Sequence, residues 1–230
     1  VQSEERHSRP KGDTPERPSP LRVVVFIDGQ NFYNDCKRSF GKGETHPHLL
    51  GQELCSEAFG TDRRLVQVRF YTGIHTPDRN PQMHAVMTKR IEAMKRNDVY
   101  VFSRPLKYSL EWVKDRTLPD NSIQIWKGRE KGVDVKLALD LVMMAVEGQY
   151  DVAVIVSTDT DLDEAVEEVL ILRQELGRWI AVENAICVKQ PDPASGRRPP
   201  FKRLKNAGRL LYIDESIFRR IVDNTDYSGP

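Results

Sequence analysis

The chain has 230 residues, room for one sizeable domain with tails, and its 35 basic side chains are offset by 34 acidic ones. That balance excludes a polycation, so any nucleic-acid contact has to come from a local basic surface. No apolar run approaches the ~20 residues of a membrane helix, and no signal-peptide core opens the chain.

The three cysteines, Cys36, Cys55 and Cys187, lie far apart and form no CxxC pair. A structural zinc site or a disulfide framework is therefore not expected, and the default is a cytoplasmic protein without membrane contact.

Residues 1–21 hold four prolines and little apolar bulk, which predicts a disordered arm. "RVVVFID" (Arg22–Asp28) is a continuous apolar run, as expected of a central parallel strand covered on both faces. "THPHLL" offers His46 and His48 without further ligands nearby and reads as a surface turn. A second strand follows at Leu65–Gly73 and a helix at Met83–Asn97. A third strand in "DVYVFSRPLKYS" extends into an irregular hairpin with "NSIQIWKG". "VDVKLALDLVMMAVEG" has helical spacing, "DVAVIVS" is a fourth strand, "LDEAVEEVLILRQELG" a helix, and "RWIAVEN" a fifth strand. A Pro/Arg-rich loop at about 189–202 precedes a last strand and helix in "GRLLYIDESIFRRIV". The expected organisation is an arm at 1–21, one domain at 22–223 and a short tail at 224–230. Strand–helix alternation with short links predicts an α/β sheet wound on both sides, with ligands beyond the strand carboxyl ends where the winding reverses.

Acidic residues gather at those ends. Asp28 closes the first strand and precedes Gly29 and Asn31; an Asx-turn is the plain alternative to a ligand role. Asp134 falls at i, i+3, i+4, i+7 with Leu137, Ala138 and Leu141, which predicts a place on the core-facing stripe, whereas Asp140 is expected in solvent. Asp159 and Asp161 occupy a strand-to-helix turn. Capping by Thr158, Asp159 or Thr160 accounts for one of these acids but not for both. Asp163, Glu164, Glu167 and Glu168 lie off the apolar stripe of the next helix and read as a solvated face. Oxygen-only ligands without His or Cys favour Mg²⁺ or Mn²⁺, and such an ion suits phosphodiester hydrolysis.

"FIDGQNFY", "KGVDVKLALDLV" and "VSTDTDL", in this order, resemble the NYN domain of the PIN-like nuclease superfamily, over Val23 to Val222. The resemblance implies a PIN-like three-layer α/β sandwich, with a mostly parallel central sheet and helices on both faces. It also implies a metal-dependent ribonuclease whose acidic rim binds Mg²⁺ or Mn²⁺. Asp28, Asp134, Asp159 and Asp161 would be its catalytic and metal-binding residues, and Asn31 would support them. The family commonly reads Ser-Gly-Asp-Ser-Asp-Phe in the third motif; here Thr158, Thr160 and Leu162 depart from it. A β-branched Thr158 stiffens that turn and is expected to narrow the approach of substrate.

Basic and aromatic residues follow the second and third strands. Arg79, Arg104, Lys107 and Arg116 interleave with Tyr71, Tyr108 and Trp112, a mixture suited to phosphate contacts and base stacking on single-stranded RNA. Solvated loops with a few packed aromatics are the plain alternative. The expected substrate-binding set is Asn31, Arg79, Arg104, Lys107, Tyr108, Lys131 and Thr158. "GRRPPFKRLKNAGR" is a second candidate RNA contact. The rivals are a catalytically weak or inactive RNA-binding or adaptor module on the same fold, and a Mg²⁺-dependent phosphatase. The phosphatase lacks its Asp-x-Asp motif, since "IDGQN" has glycine at the middle position and glutamine where the second aspartate would stand. A homodimer or a protein partner is left open.

Overall fold

The computed structural model describes residues 15–114, 122–189 and 201–229. Leu21–Asp28 forms β1, followed by α1 (Gly29–Phe40), α2 (Pro47–Leu54), β2 (Arg63–Ile74) and α3 (Pro81–Arg96). β3 (Val99–Pro105), β4 (Lys107–Lys114) and β5 (Ser122–Arg129) come next, then α4 (Val133–Val146) and β6 (Val152–Val156). The described chain continues with α5 (Asp163–Glu175), β7 (Ala181–Cys187), β8 (Arg209–Ile213) and α6 (Glu215–Ile221).

Six strands form one sheet in the order β3-β2-β1-β6-β7-β8, with every pairing parallel. The first three strands build outward from β1 on one side and the last three on the other. The winding therefore reverses between β1 and β6, which leaves a crevice above their carboxyl ends. β4 and β5 pair antiparallel as a separate two-stranded hairpin.

β1 can be apolar throughout because both of its faces are covered. Val23, Val25 and Ile27 pack with Phe32 and Cys36 of α1, Leu50 and Leu54 of α2, and Ile217 and Phe218 of α6. Val24 and Phe26 pack on the other face with Leu137 and Leu141 of α4 and Val166 and Val169 of α5. The result is the three-layer α/β sandwich that the strand–helix alternation predicts. Cys36 and Cys187, remote in sequence, meet in the core with their Sγ atoms 3.5 Å apart, as free thiols.

Three expectations are corrected. "THPHLL" is no surface turn: His46 precedes α2, Pro47 supplies its pre-set φ at the first position, and Leu50 and Leu54 are buried. Asp134 is exposed, and the buried face of α4 runs instead through Val133, Leu137, Asp140, Leu141 and Met144. Asp140, expected in solvent, is buried because Arg69 Nη2 (2.8 Å) and the Tyr71 hydroxyl (2.9 Å) donate to its Oδ2, and Lys136 to its Oδ1. Burial alone would raise its pKa; the hydrogen bonds from Lys136, Arg69 and Tyr71 prevail and hold it below the usual carboxylate value. A paired acid can occupy a core stripe that an unpaired one cannot. Residues 1–14 of the expected arm, Arg116, and residues 190–200 of the expected loop lie outside the described residues, with Arg197 and Arg198 among them.

Candidate active site

The site begins with the turn from β1 into α1. Asp28 is the residue before the helix, and its Oδ1 accepts the Asn31 N–H at 3.1 Å. Gly29 follows because a Cβ there would stand 2.5 Å from Phe70 Cζ and 2.8 Å from the Tyr71 carbonyl. The close approach of α1 to β2 thus depends on glycine, and it fixes where Asp28 points.

The turn after β6 is laced to the first one. The Ser157 hydroxyl donates to Asp28 Oδ2 at 3.1 Å, and Ser157 Oγ accepts the Asp159 N–H at 3.1 Å. Asn31 Oδ1 accepts the Thr158 N–H at 2.9 Å. Asp159 in turn caps a 3₁₀ turn at Thr160–Leu162, where its Oδ1 accepts the Asp161 N–H at 3.1 Å. Capping is thus real for Asp28 and for Asp159, and both still face a shared cavity.

That cavity has a volume of about 270 Å³ and is lined by Asp28, Gln30, Asn31, Asn34, Glu130, Asp134 and Asp159. Asp134 reaches it from the first turn of α4, which Gly132 opens at a φ of +73°. Glu130 stands just after β5 and accepts the Gly73 N–H. Among the described residues, no Lys, Arg or His lines the cavity, so its acids have no cationic neighbour from that set within it. Burial, assisted by the charges of Asp159 and Asp134, pushes Asp28 up to about 6 against the hydrogen bonds from Asn31 and Ser157. Burial, with the charges of Asp28 and Asp134, pushes Glu130 up to about 7.

Oxygen donors alone, four of them acids that oppose one another's ionisation, fit a hard divalent cation. Among the described residues, no three His, Cys, Asp or Glu side chains stand in a ready-made chelating arrangement. The acids share a cavity without forming a closed cage.

Asp28, Asp134 and Asp159 are brought together, with Asn31 beside them, and Asp161 is not. It lies in the 3₁₀ turn, exposed and outside the lining. Thr158 is also outside the lining: its hydroxyl lies 3.1 Å from Asn31 Oδ1 and 3.1 Å from Asp35 Oδ2, tying the turn to α1.

Arg79 stacks on Trp126, 3.8 Å from the ring centroid, and Tyr108 OH lies 2.6 Å from His75 Nδ1. Arg104 donates to the Lys131 carbonyl at 3.2 Å. Arg104, Lys107 and Lys131 are exposed and line neither the acidic cavity nor its walls. Tyr71, expected on the rim, is fully buried against Asp140. Trp112 is 69% exposed on the hairpin, so the hairpin, rather than the end of β2, carries the accessible aromatic surface.

Glu130 and Asp35 were missed by the sequence reading. Asp35 lies four residues after Asn31, one helical turn along the same face, and that spacing could have found it. Glu130 adjoins the "KGVD" motif, but its approach to Asp28 depends on the hairpin returning to the crevice.

The NYN domain family matches residues 22–180. A curated relative, the 6-hydroxy-3-succinoylpyridine 3-monooxygenase HspA of Pseudomonas putida, is 30% identical over 64% of this chain and 55% of its own. The chain thus spans about half the length of that relative. A crystal structure of a protein of unknown function from Vibrio parahaemolyticus superimposes with a TM-score of 0.51 at 16% identity, over 87% of this chain and 97% of that one. At that identity the likeness is one of fold. Among the described residues, no helix is long and apolar enough to cross a membrane. The family match takes in β1, α4 and β6, the elements whose ends carry the clustered acids, and with well over half of its length matched the chain belongs to the NYN domain family.

Proposed function

We propose that this domain is a ribonuclease that hydrolyses phosphodiester bonds of single-stranded RNA with the help of Mg²⁺ or Mn²⁺. The NYN domain is a nuclease-type fold. One observation supports the finer reading most: four acids line one cavity at the point where the sheet winding reverses, and no basic side chain among the described residues lines it with them. Asp28, Asp134 and Asp159 would hold the cation, with Glu130 on the same wall. When bound, such an ion supplies charge neutralisation of the phosphate and a lowered pKa for an attacking water.

The rest is the work of the chain itself. Asn31 and Ser157 hold the Asp28 carboxylate by the N–H and hydroxyl described above, so its orientation is fixed before substrate arrives. Glu130, at about 7, holds a proton on its carboxyl group in a fraction of molecules near neutrality, which suits proton transfer to a departing oxygen. The exposed Trp112, with Lys127 and Arg129 on the same hairpin, suits stacking and phosphate contact along a single strand. The monooxygenase activity in the relative's name belongs to a protein of which this chain spans about half.

The test is cleavage of a labelled single-stranded RNA with Mg²⁺, Mn²⁺ or EDTA. Cleavage is expected with either metal and absent with EDTA. Asp159→Asn should lower the rate by about 100-fold or more, with a much smaller change in RNA affinity. RNA binding indifferent to metal, with no cleavage under any divalent ion, would establish the adaptor reading instead.

A further inference from the structure

A second cavity of about 750 Å³ adjoins the acidic one, and Gln30 and Glu130 line both. Its walls are of a different kind. Phe70, Met83, Met87, Met94 and Leu106 supply apolar and polarisable surface, and Tyr33 adds an aromatic ring. We infer that this cavity is a nucleobase subsite, which receives one base of the RNA strand whose phosphodiester lies in the neighbouring acidic cavity; this rests on the ribonuclease reading.

The size is that of a small-molecule pocket, whereas the acidic cavity is too small and too polar to take a base with its phosphate. Among the described lining residues, Glu44, Glu130, Asp223 and Asp226 outnumber Lys42 and Arg90, and that balance disfavours a phosphate relative to an uncharged base. Polar groups able to read a base edge are present. Gln30 sits at the junction, exposed, with no hydrogen bond from its amide among the described residues. Arg90 donates to the Thr45 carbonyl at 3.1 Å and has no ion-pair partner among the described residues. An amide and a guanidinium over apolar walls match how unstacked RNA bases are held, by stacking and by hydrogen bonds to their edges. Contiguity supplies the link: a base and its own phosphate are neighbours, and so are the two cavities.

The methionines provide the assay. Of the five in the chain, Met83, Met87 and Met94 line the cavity, while Met143 and Met144 lie on α4 across the sheet. The protein, labelled with ¹³C at its methionine methyls and kept in EDTA, is titrated with adenosine and then with uridine, neither of which carries a phosphate. Saturable shifts of the three cavity methyls are expected, with Met143 and Met144 stationary. Gln30→Ala should weaken the response, and Met87→Trp, which fills the space, should abolish it. On RNA, Met87→Trp should lower turnover about tenfold relative to the same variant's turnover of bis(4-nitrophenyl) phosphate, which has no base. Cavity methyls unmoved by millimolar nucleoside, or equal loss on both substrates in a folded Met87→Trp protein, overturn the subsite. If the wild-type protein cleaves neither substrate, the ribonuclease reading fails, and the nucleoside titration still decides whether the cavity takes a base.

Discussion

Asp28→Asn is expected to stabilise the metal-free protein, and the gain should depend on pH. In the folded chain the Asp28 carboxyl is raised from 3.8 to about 6, chiefly by burial. The folded state therefore holds this proton more tightly than the unfolded state. The favourable contribution is complete below pH 3.8, shrinks as pH rises, and is gone above about 6, where the ionised group is held at a cost. Roughly two pH units at ~1.4 kcal/mol each give about 3 kcal/mol as an upper bound. Asp28 is only partly buried by surface area, so solvent screening brings this to about 1.5 kcal/mol. Asparagine keeps an oxygen for the Asn31 N–H and cannot ionise. For a domain of this size the gain corresponds to a Tm increase of about 3–6 °C at pH 7.5. Thermal unfolding in EDTA at pH 4, 5, 6 and 7.5 should show the two proteins converging towards pH 4. A Tm difference that is the same at every pH, or an Asp28→Asn variant less stable than the wild type at pH 7.5, would refute the reasoning. With Mg²⁺ or Mn²⁺ at a hundred times its Kd, the wild type should gain ~2.7 kcal/mol and the variant much less.

Asp140→Ala should cost about 3 kcal/mol or more in urea unfolding, because the Arg69 side chain, 11% exposed, is left without its carboxylate; a cost under 1 kcal/mol would mean that Arg69 finds water. Thr158→Val should lower stability by about 1–2 kcal/mol through the lost hydroxyl between Asn31 and Asp35. If Thr158 lined the substrate path instead, the same change would raise the RNA concentration needed for half-maximal rate and leave unfolding untouched.

The sequence by itself determined the layers and most of the acid positions. A run such as "RVVVFID" can be apolar throughout only where both faces are covered, and the helical spacing of α4 and α5 required a sheet beneath them. An aspartate before glycine at the end of such a strand has few other places to point than the crevice. Other features depended on contacts between residues far apart in the chain. Arg69 reaches from β2 to α4, so the helix turns Asp140 inward and leaves Asp134 facing the cavity. Glu130 enters the site because the β4–β5 hairpin returns the chain beside β2, and Asp161 stands outside it, in the 3₁₀ turn that Asp159 caps before α5 begins. Periodicity reports which face of an element is apolar, but a buried charge breaks that pattern wherever a partner from another element compensates it, and the partner is supplied by the fold alone.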